Sequence, residues 1–360
     1  MKKRRIFRNL NDKEFAWVLY DVGNSAYTML ACALIPIWFK AMAIGTRPGQ
    51  LTSDQATAYY SMAIAVITIV VALLGPVCGA ISDHKGMKKI FFTTTVAVGV
   101  SGCILNGFAY QWIAFLLLFA VTKIFYNMSL MFYDSMLNDI TTEERMDEVS
   151  SYGFAWGYLG SCIPFLIALV AYVLGPDMAG MIPGRVSMAI GFAVTGLWWL
   201  LVTIPLMKNY KQLNYVEHQG HAVGNAFRKI FQTVKFIATE DKKVFFFLIA
   251  FFLYIDGVGT IIDNCINIGT DLNLSTVGQV ICLLATQVIW RITGVCKTVK
   301  KIRYRSSDPG MYRGLFCRLS VCADVKKSAG IQLSGIRCRM LSGVDPVPVE
   351  ILFFQNYSAG

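Results

Sequence analysis

Within its first 206 residues the chain carries six apolar runs, at about 15–43, 56–82, 90–109, 112–136, 150–174 and 186–206, separated by short polar breaks. A transmembrane helix needs roughly 20 mostly apolar residues, and each run reaches that length. A bilayer core offers no water to backbone N–H and C=O groups, so successive runs of this kind are satisfied as helices. A seventh run covers 244–268 and an eighth begins near Thr276. Only 15% of residues are charged and 55% are hydrophobic, whereas a soluble domain carries about 25% charged residues. The expectation is an all-α polytopic membrane protein.

The basic start, Met1-Lys-Lys-Arg-Arg, precedes an apolar run too long and too interrupted by polar side chains for a secretory signal, whose apolar region is about 7 to 15 residues. The first run is therefore expected to stay as a helix. Cytoplasmic loops are enriched in Lys and Arg. With the N-terminus in the cytoplasm, one side collects Lys2, Lys3, Arg4, Arg5, Arg8, Lys13, Lys85, Lys88, Lys89, Arg145 and the basic segment from Lys208 to Lys243. The other side keeps Lys40, Arg47 and Arg185. This predicts a multi-pass cell-membrane protein with a cytoplasmic N-terminus. In the linker, Phe227, Ile230, Phe231, Val234 and Phe236 beside Arg228, Lys229 and Lys235 fit either a helix lying on the bilayer or a solvated connection.

Chemistry-bearing motifs are sparse. The ten cysteines contain no Cys-x-x-Cys and are expected to fill apolar space. His218-x-x-His221 has a metal-compatible spacing, but Gly220 and its polar surroundings favour a solvated face. No phosphate loop or nucleophile elbow occurs, so neither a cofactor nor a metal nor an enzyme activity is expected.

The most specific stretch joins the second and third runs: Gly75-Pro-Val-Cys-Gly79-Ala-Ile-Ser-Asp83-His-Lys-Gly86-Met-Lys88-Lys89. Here a turn at Gly86 brings acidic and basic side chains to the cytoplasmic rim. Asp83 can accept from helix-start amides or pair with a cation, and Gly79 is expected to let helices approach. Gly79, Asp83, Gly86, Lys88 and Lys89 are the expected gate loop. The spacing resembles the signature loop of the major facilitator superfamily. Trp17-x-Leu19-Tyr20-Asp21-x-x-Asn24-Ser25-Ala26-Tyr27, Phe132-Tyr133-x-x-x-Leu137-x-Asp139-Ile140 and Gly157-Tyr158-Leu159-Gly160 further resemble the family of the vacuolar amino-acid effluxer linked to autophagy and its bacterial relatives. The resemblance covers about 14–290. It implies a transporter of twelve helices in two six-helix halves, with a central solute cavity, alternating access and amino-acid efflux as the clue to substrate.

Charged side chains at the centre of a span cost about 2.5 to 3.5 kcal/mol on insertion scales and usually face a cavity or a partner. Asp21, Lys123, Asp134, Asp256 and Asp263 are such residues. Lys123, Asn127 and Asp134 share one helix face, and Lys123 either receives an anionic solute group or pairs with an acidic residue on span one or seven. Asp21, Asn24 and Ser25 begin a stretch loosely echoed by Leu253-Tyr-Ile-Asp256, as expected of repeated halves. Asp21, Asn24, Ser25, Lys123, Asn127, Asp134 and Asp256 are the candidate substrate or coupling-ion residues; buried, Asp21 or Asp256 could carry a proton, and the alternative is hydrogen bonding to Tyr, Asn or Ser on neighbouring helices. Gly153-x-x-x-Gly157-x-x-Gly160 reads as a helix-packing surface.

The expected organisation is a complete six-helix half at 1–206, a basic linker at 207–243, the start of a second half at 244–290, and a basic tail at 291–360. That tail holds 12 Lys or Arg against 4 Asp or Glu, which places +8 of the net +11 in it. It lacks an 18-residue apolar run, so the expectation is a frame shift near 290 and a truncated, incomplete second half. The primary expectation is a secondary active transporter of small solutes whose partners are the bilayer and the solute, in a chain whose truncation leaves it either active or inactive. The competing readings are a membrane scaffold or half-transporter subunit, and a tail-mediated binder of anionic lipid or nucleic acid, of which nucleic acid is the less expected partner.

Overall fold

A computed structural model describes residues 10–175, 179–215 and most of 232–285. The tail at 291–360, the pair His218 and His221, and the linker residues 216–231 lie outside the described residues. Among the described residues the protein is helical, with one isolated parallel bridge between Ile44 and Leu51. Seven helices are long and apolar enough to cross a membrane: α1 Asp12–Ala43, α2 Ser53–Ser82, α3 Met87–Asn106, α4 Trp112–Ile140, α5 Glu143–Val173, α6 Gly184–Asn209 and α7 Lys242–Asp271. Together they form a bundle of the major facilitator type.

Helix ends follow local chemistry rather than hydropathy. α1 starts before its apolar run because Asn11 and Glu14 form a reciprocal capping box, with Glu14 N to Asn11 Oδ1 and Asn11 N to Glu14 Oε2 both at 2.8 Å. Thr52 and Gln55 do the same for α2. α5 begins at Glu143, ahead of the apolar segment, with Glu143 and Glu144 in a first turn where the helix dipole favours negative charge. α3 ends at Asn106, short of residue 109, with Gly107 at its cap.

α1 is the axis. Within its most apolar stretch 72% of residues are buried, against 11% in α2 and none in α7. It packs chiefly on α5 and α6 and also meets α2, α4 and α7, while α3 bridges α4 and α6. The approach to α5 depends on the glycines of the 153–160 stripe. A Cβ on Gly153 would lie 3.0 Å from the Trp17 ring, one on Gly157 would lie 2.9 Å from Ser25 Oγ, and one on Gly160 would overlap Val22 Cγ1. The stripe is a packing surface, as its spacing predicts. Gly79 does not behave that way, since nothing lies within 4 Å of where its Cβ would sit. Among the described residues no helix approaches α2 closely at Gly79, so the expected contact is not seen there.

Candidate functional site

Lys123 lies at the middle of its apolar run and is buried, with 8% exposure. Its ammonium donates to Asp263 Oδ1 on α7 at 3.0 Å. Two charges taken out of water are tolerated only when they meet with good geometry. The pair therefore fixes where α7 sits against the first six helices. Around it, Ser61 of α2 donates to Asn264 Oδ1 at 3.4 Å, and the Cys265 thiol faces the Cys32 carbonyl at 3.8 Å. Of the two readings of Lys123, the pairing with an acidic residue on the seventh span is the one observed. Asn127, one turn along the same face of α4, is half-buried.

Asp21 and its neighbours form a second polar place. Asn24 is buried and donates to Asp21 Oδ1 at 3.2 Å. The other carboxylate oxygen faces the glycine floor of α5, as does Ser25 Oγ. Asp134 is exposed on α4 within electrostatic reach of Asp21. The surroundings are rigid: Trp17 stacks on Tyr133 with ring centroids 4.3 Å apart and donates to its carbonyl at 3.1 Å, and the Tyr20 and Ser129 hydroxyls share a 2.7 Å bond. Asp256 lies on an exposed part of α7 and has no polar partner among the described residues. The structure thus brings together Asp21, Asn24, Ser25 and Asp134, and separately Lys123 with Asp263.

The loop between α2 and α3 makes a third cluster at the end of the bundle that carries the N-terminus. Gly86 takes φ +77°, a left-handed conformation, and starts α3 directly after Asp83 has capped α2. Lys88 is buried between Asp83 at 3.7 Å and Asp139 at 3.9 Å. Asp139, at the end of α4, is the hub. Its carboxylate accepts from Tyr210 Oη at 2.5 Å, Leu213 N at 3.2 Å, Asn214 N at 2.8 Å and Asn214 Nδ2 at 2.9 Å. Gln212 Nε2 donates to the carbonyls of Ser82 and Asp83, and Lys89 donates to the Tyr210 carbonyl at 3.5 Å. Burial, and the bond to Asp139, hold the Tyr210 hydroxyl well above the ordinary tyrosine pKa. The segment 210–214 is thus strapped across the loop and the α4 terminus. Beside it, buried Glu14 pairs with Arg145 at 3.2 Å and accepts from Thr141 at 2.8 Å.

The model of the family described as "Vacuole effluxer Atg22 like" matches residues 11–307, spanning both the α1 stretch and the loop between α2 and α3. The chain belongs to this family. It is also 38% identical over 289 residues to an uncharacterised MFS-type transporter, YxiO, of Bacillus subtilis (strain 168), a match that covers 79% of this chain and 66% of that protein. The chain thus spans just under two thirds of the length of the curated relative it matches.

Three participants escaped the reading of the sequence as site residues. Asp139 appeared only as part of a family motif, although a carboxylate closing an apolar run is itself a signal of a buried cap or ion pair. Glu14 was legible through the Asn11-x-x-Glu14 capping pattern, but its burial against Arg145 was not. Asp263 was visible as a charge in a span, and only the packing of α7 selects it over Asp256. Among the described residues no three His, Cys, Asp or Glu side chains lie close enough to hold a metal.

Proposed function

We propose that the protein is a secondary transporter of small solutes working by alternating access, with amino acids as the substrate class, efflux as the direction and the N-terminus in the cytoplasm. Membership of the Atg22-like family supports a transporter role. The observation that carries the reading is the Lys123–Asp263 pair, a 3.0 Å contact between α4 and α7 inside the apolar region. A solute bearing both charges can replace each partner for the other, which lets α7 move without stranding a buried ion. The gate loop, with Lys88 held between Asp83 and Asp139, supplies contacts that break and remake as helices rock. Amino-acid counterflow in proteoliposomes containing the purified chain tests this. Lys123→Ala and Asp263→Ala are expected to lower flux by about tenfold or more, as for a lost charged contact. Flux absent from the wild type, or unchanged in both variants, overturns the proposal.

A further inference from the structure

Three oxygens converge on the glycine floor that α5 presents to α1. Asp21 Oδ2 and the Tyr133 hydroxyl lie 3.2 and 3.5 Å from the position a Cβ would take on Gly153. Asp21 Oδ2 and Ser25 Oγ lie 3.2 and 2.9 Å from the corresponding position on Gly157. Tyr133 is 3% exposed, and its hydroxyl is buried without a hydrogen-bond partner, which is costly unless something else satisfies it. It is not a loosely placed ring, because Trp17 both stacks on it and donates to its backbone. The one hydrogen bond to the Asp21 side chain, from Asn24, goes to Oδ1, so Oδ2 and Ser25 Oγ have no hydrogen-bond partner among the described residues. Glycine at 153 and 157 lets these oxygens come close to the α5 backbone, where a Cβ would crowd them.

The donor set is all oxygen: one carboxylate, one aliphatic hydroxyl and one phenol, with Asp134 near enough to add negative potential. Hard oxygen donors suit alkali and alkaline-earth cations rather than thiophilic metals. A single carboxylate in the cradle balances one positive charge, which favours a monovalent over a divalent ion, with further oxygen ligands supplied by water or backbone. Tyr133 lies ten residues from Lys123, about 15 Å along α4, so one α-amino acid cannot engage both places.

We propose that Asp21, Ser25 and Tyr133, with Asp134 at the rim, form a binding site for a monovalent metal cation of the Na⁺ class, separate from the solute site at Lys123. This deepens the transporter reading by naming its coupling ion, and it rests on that reading only for the word coupling. Binding is measured on the purified full chain in detergent, without solute or vesicles, so its failure and the failure of the flux experiment are distinguishable. Thermal unfolding is followed while NaCl replaces KCl or choline chloride at constant ionic strength, and ²²Na⁺ binding is counted directly. The expected result is a saturable rise in Tm with Na⁺ alone. Asp21→Asn and Tyr133→Phe are expected to weaken the apparent Kd about 10- to 100-fold and several-fold respectively, because they remove a charged and a neutral ligand. If Asp21→Asn is not monodisperse, Ser25→Ala serves in its place. Three results overturn the assignment: no Na⁺ dependence, Na⁺ dependence that survives both substitutions, or a response to pH in place of Na⁺, which makes the ligand a proton.

Discussion

Asp139 is the place where one substitution should separate the 210–214 strap from the bundle. Its side chain is fully buried and accepts four hydrogen bonds, all from Tyr210, Leu213 and Asn214, while Lys88 stands 3.9 Å away. Hydrogen bonds to a charged group contribute about 1.5 to 3 kcal/mol each but are not additive, and removing one partner of a buried ion pair costs about 3 to 5 kcal/mol. Asp139→Asn keeps one acceptor oxygen for the Leu213 and Asn214 donors and turns an amide toward Lys88. A loss of about 2 to 3 kcal/mol is expected, against about 3 to 5 for Asp139→Ala, which strands Lys88 and every donor. Lys211 is exposed in the middle of the strap and provides the readout. Where closing is faster than cleavage, tryptic cutting after Lys211 follows the open population, so a loss of about 2 to 3 kcal/mol speeds it about 30- to 150-fold. Mass spectrometry distinguishes this cut from one after Lys208 in the last turn of α6. If Asp139→Ala cuts within about twofold of wild type, the carboxylate does not hold the strap and its central role is refuted.

Two further outcomes follow from the same geometry. Gly160→Ala places a methyl group against Val22, whose branched side chain has little χ1 freedom, and is expected to lower the detergent unfolding free energy by about 1 to 3 kcal/mol; an unchanged midpoint refutes the close α1–α5 packing. Tyr210 is held protonated beyond its ordinary pKa near 10, so its contribution to stability is complete below about pH 10 and fades as pH rises past that value. Wild type is therefore expected to lose stability more steeply between about pH 9 and 11 than Tyr210→Phe, and parallel curves refute the linkage.

The seven described spans were legible because hydropathy over some twenty residues is a strong signal, and their errors fall at polar ends. Glu143 and Glu144 lie outside an apolar window, yet they start α5 because a helix N-terminus welcomes negative charge. Gly86 was readable as a turn, and its positive φ accounts for glycine there. Gly79 was not readable, since a glycine in an apolar helix carries no mark of whether a neighbour faces it. The same limit applies to charges. Lys123 was evident from its setting, but its partner depends on which end of α7 packs, information held in the three-dimensional approach of α7 to α1 and α4 rather than in the local sequence of either helix.

That approach explains why Asp263, and not Asp256, is paired. The two are seven residues apart, hence on one face of α7 and about 10 Å apart along it. Toward the C-terminal end of α7, Ile266 and Asn267 are buried, whereas Phe251 through Ile255 are exposed on every side. A carboxylate at the packed end is desolvated and needs a cation, and Lys123 supplies one; a carboxylate at the open end carries no such demand.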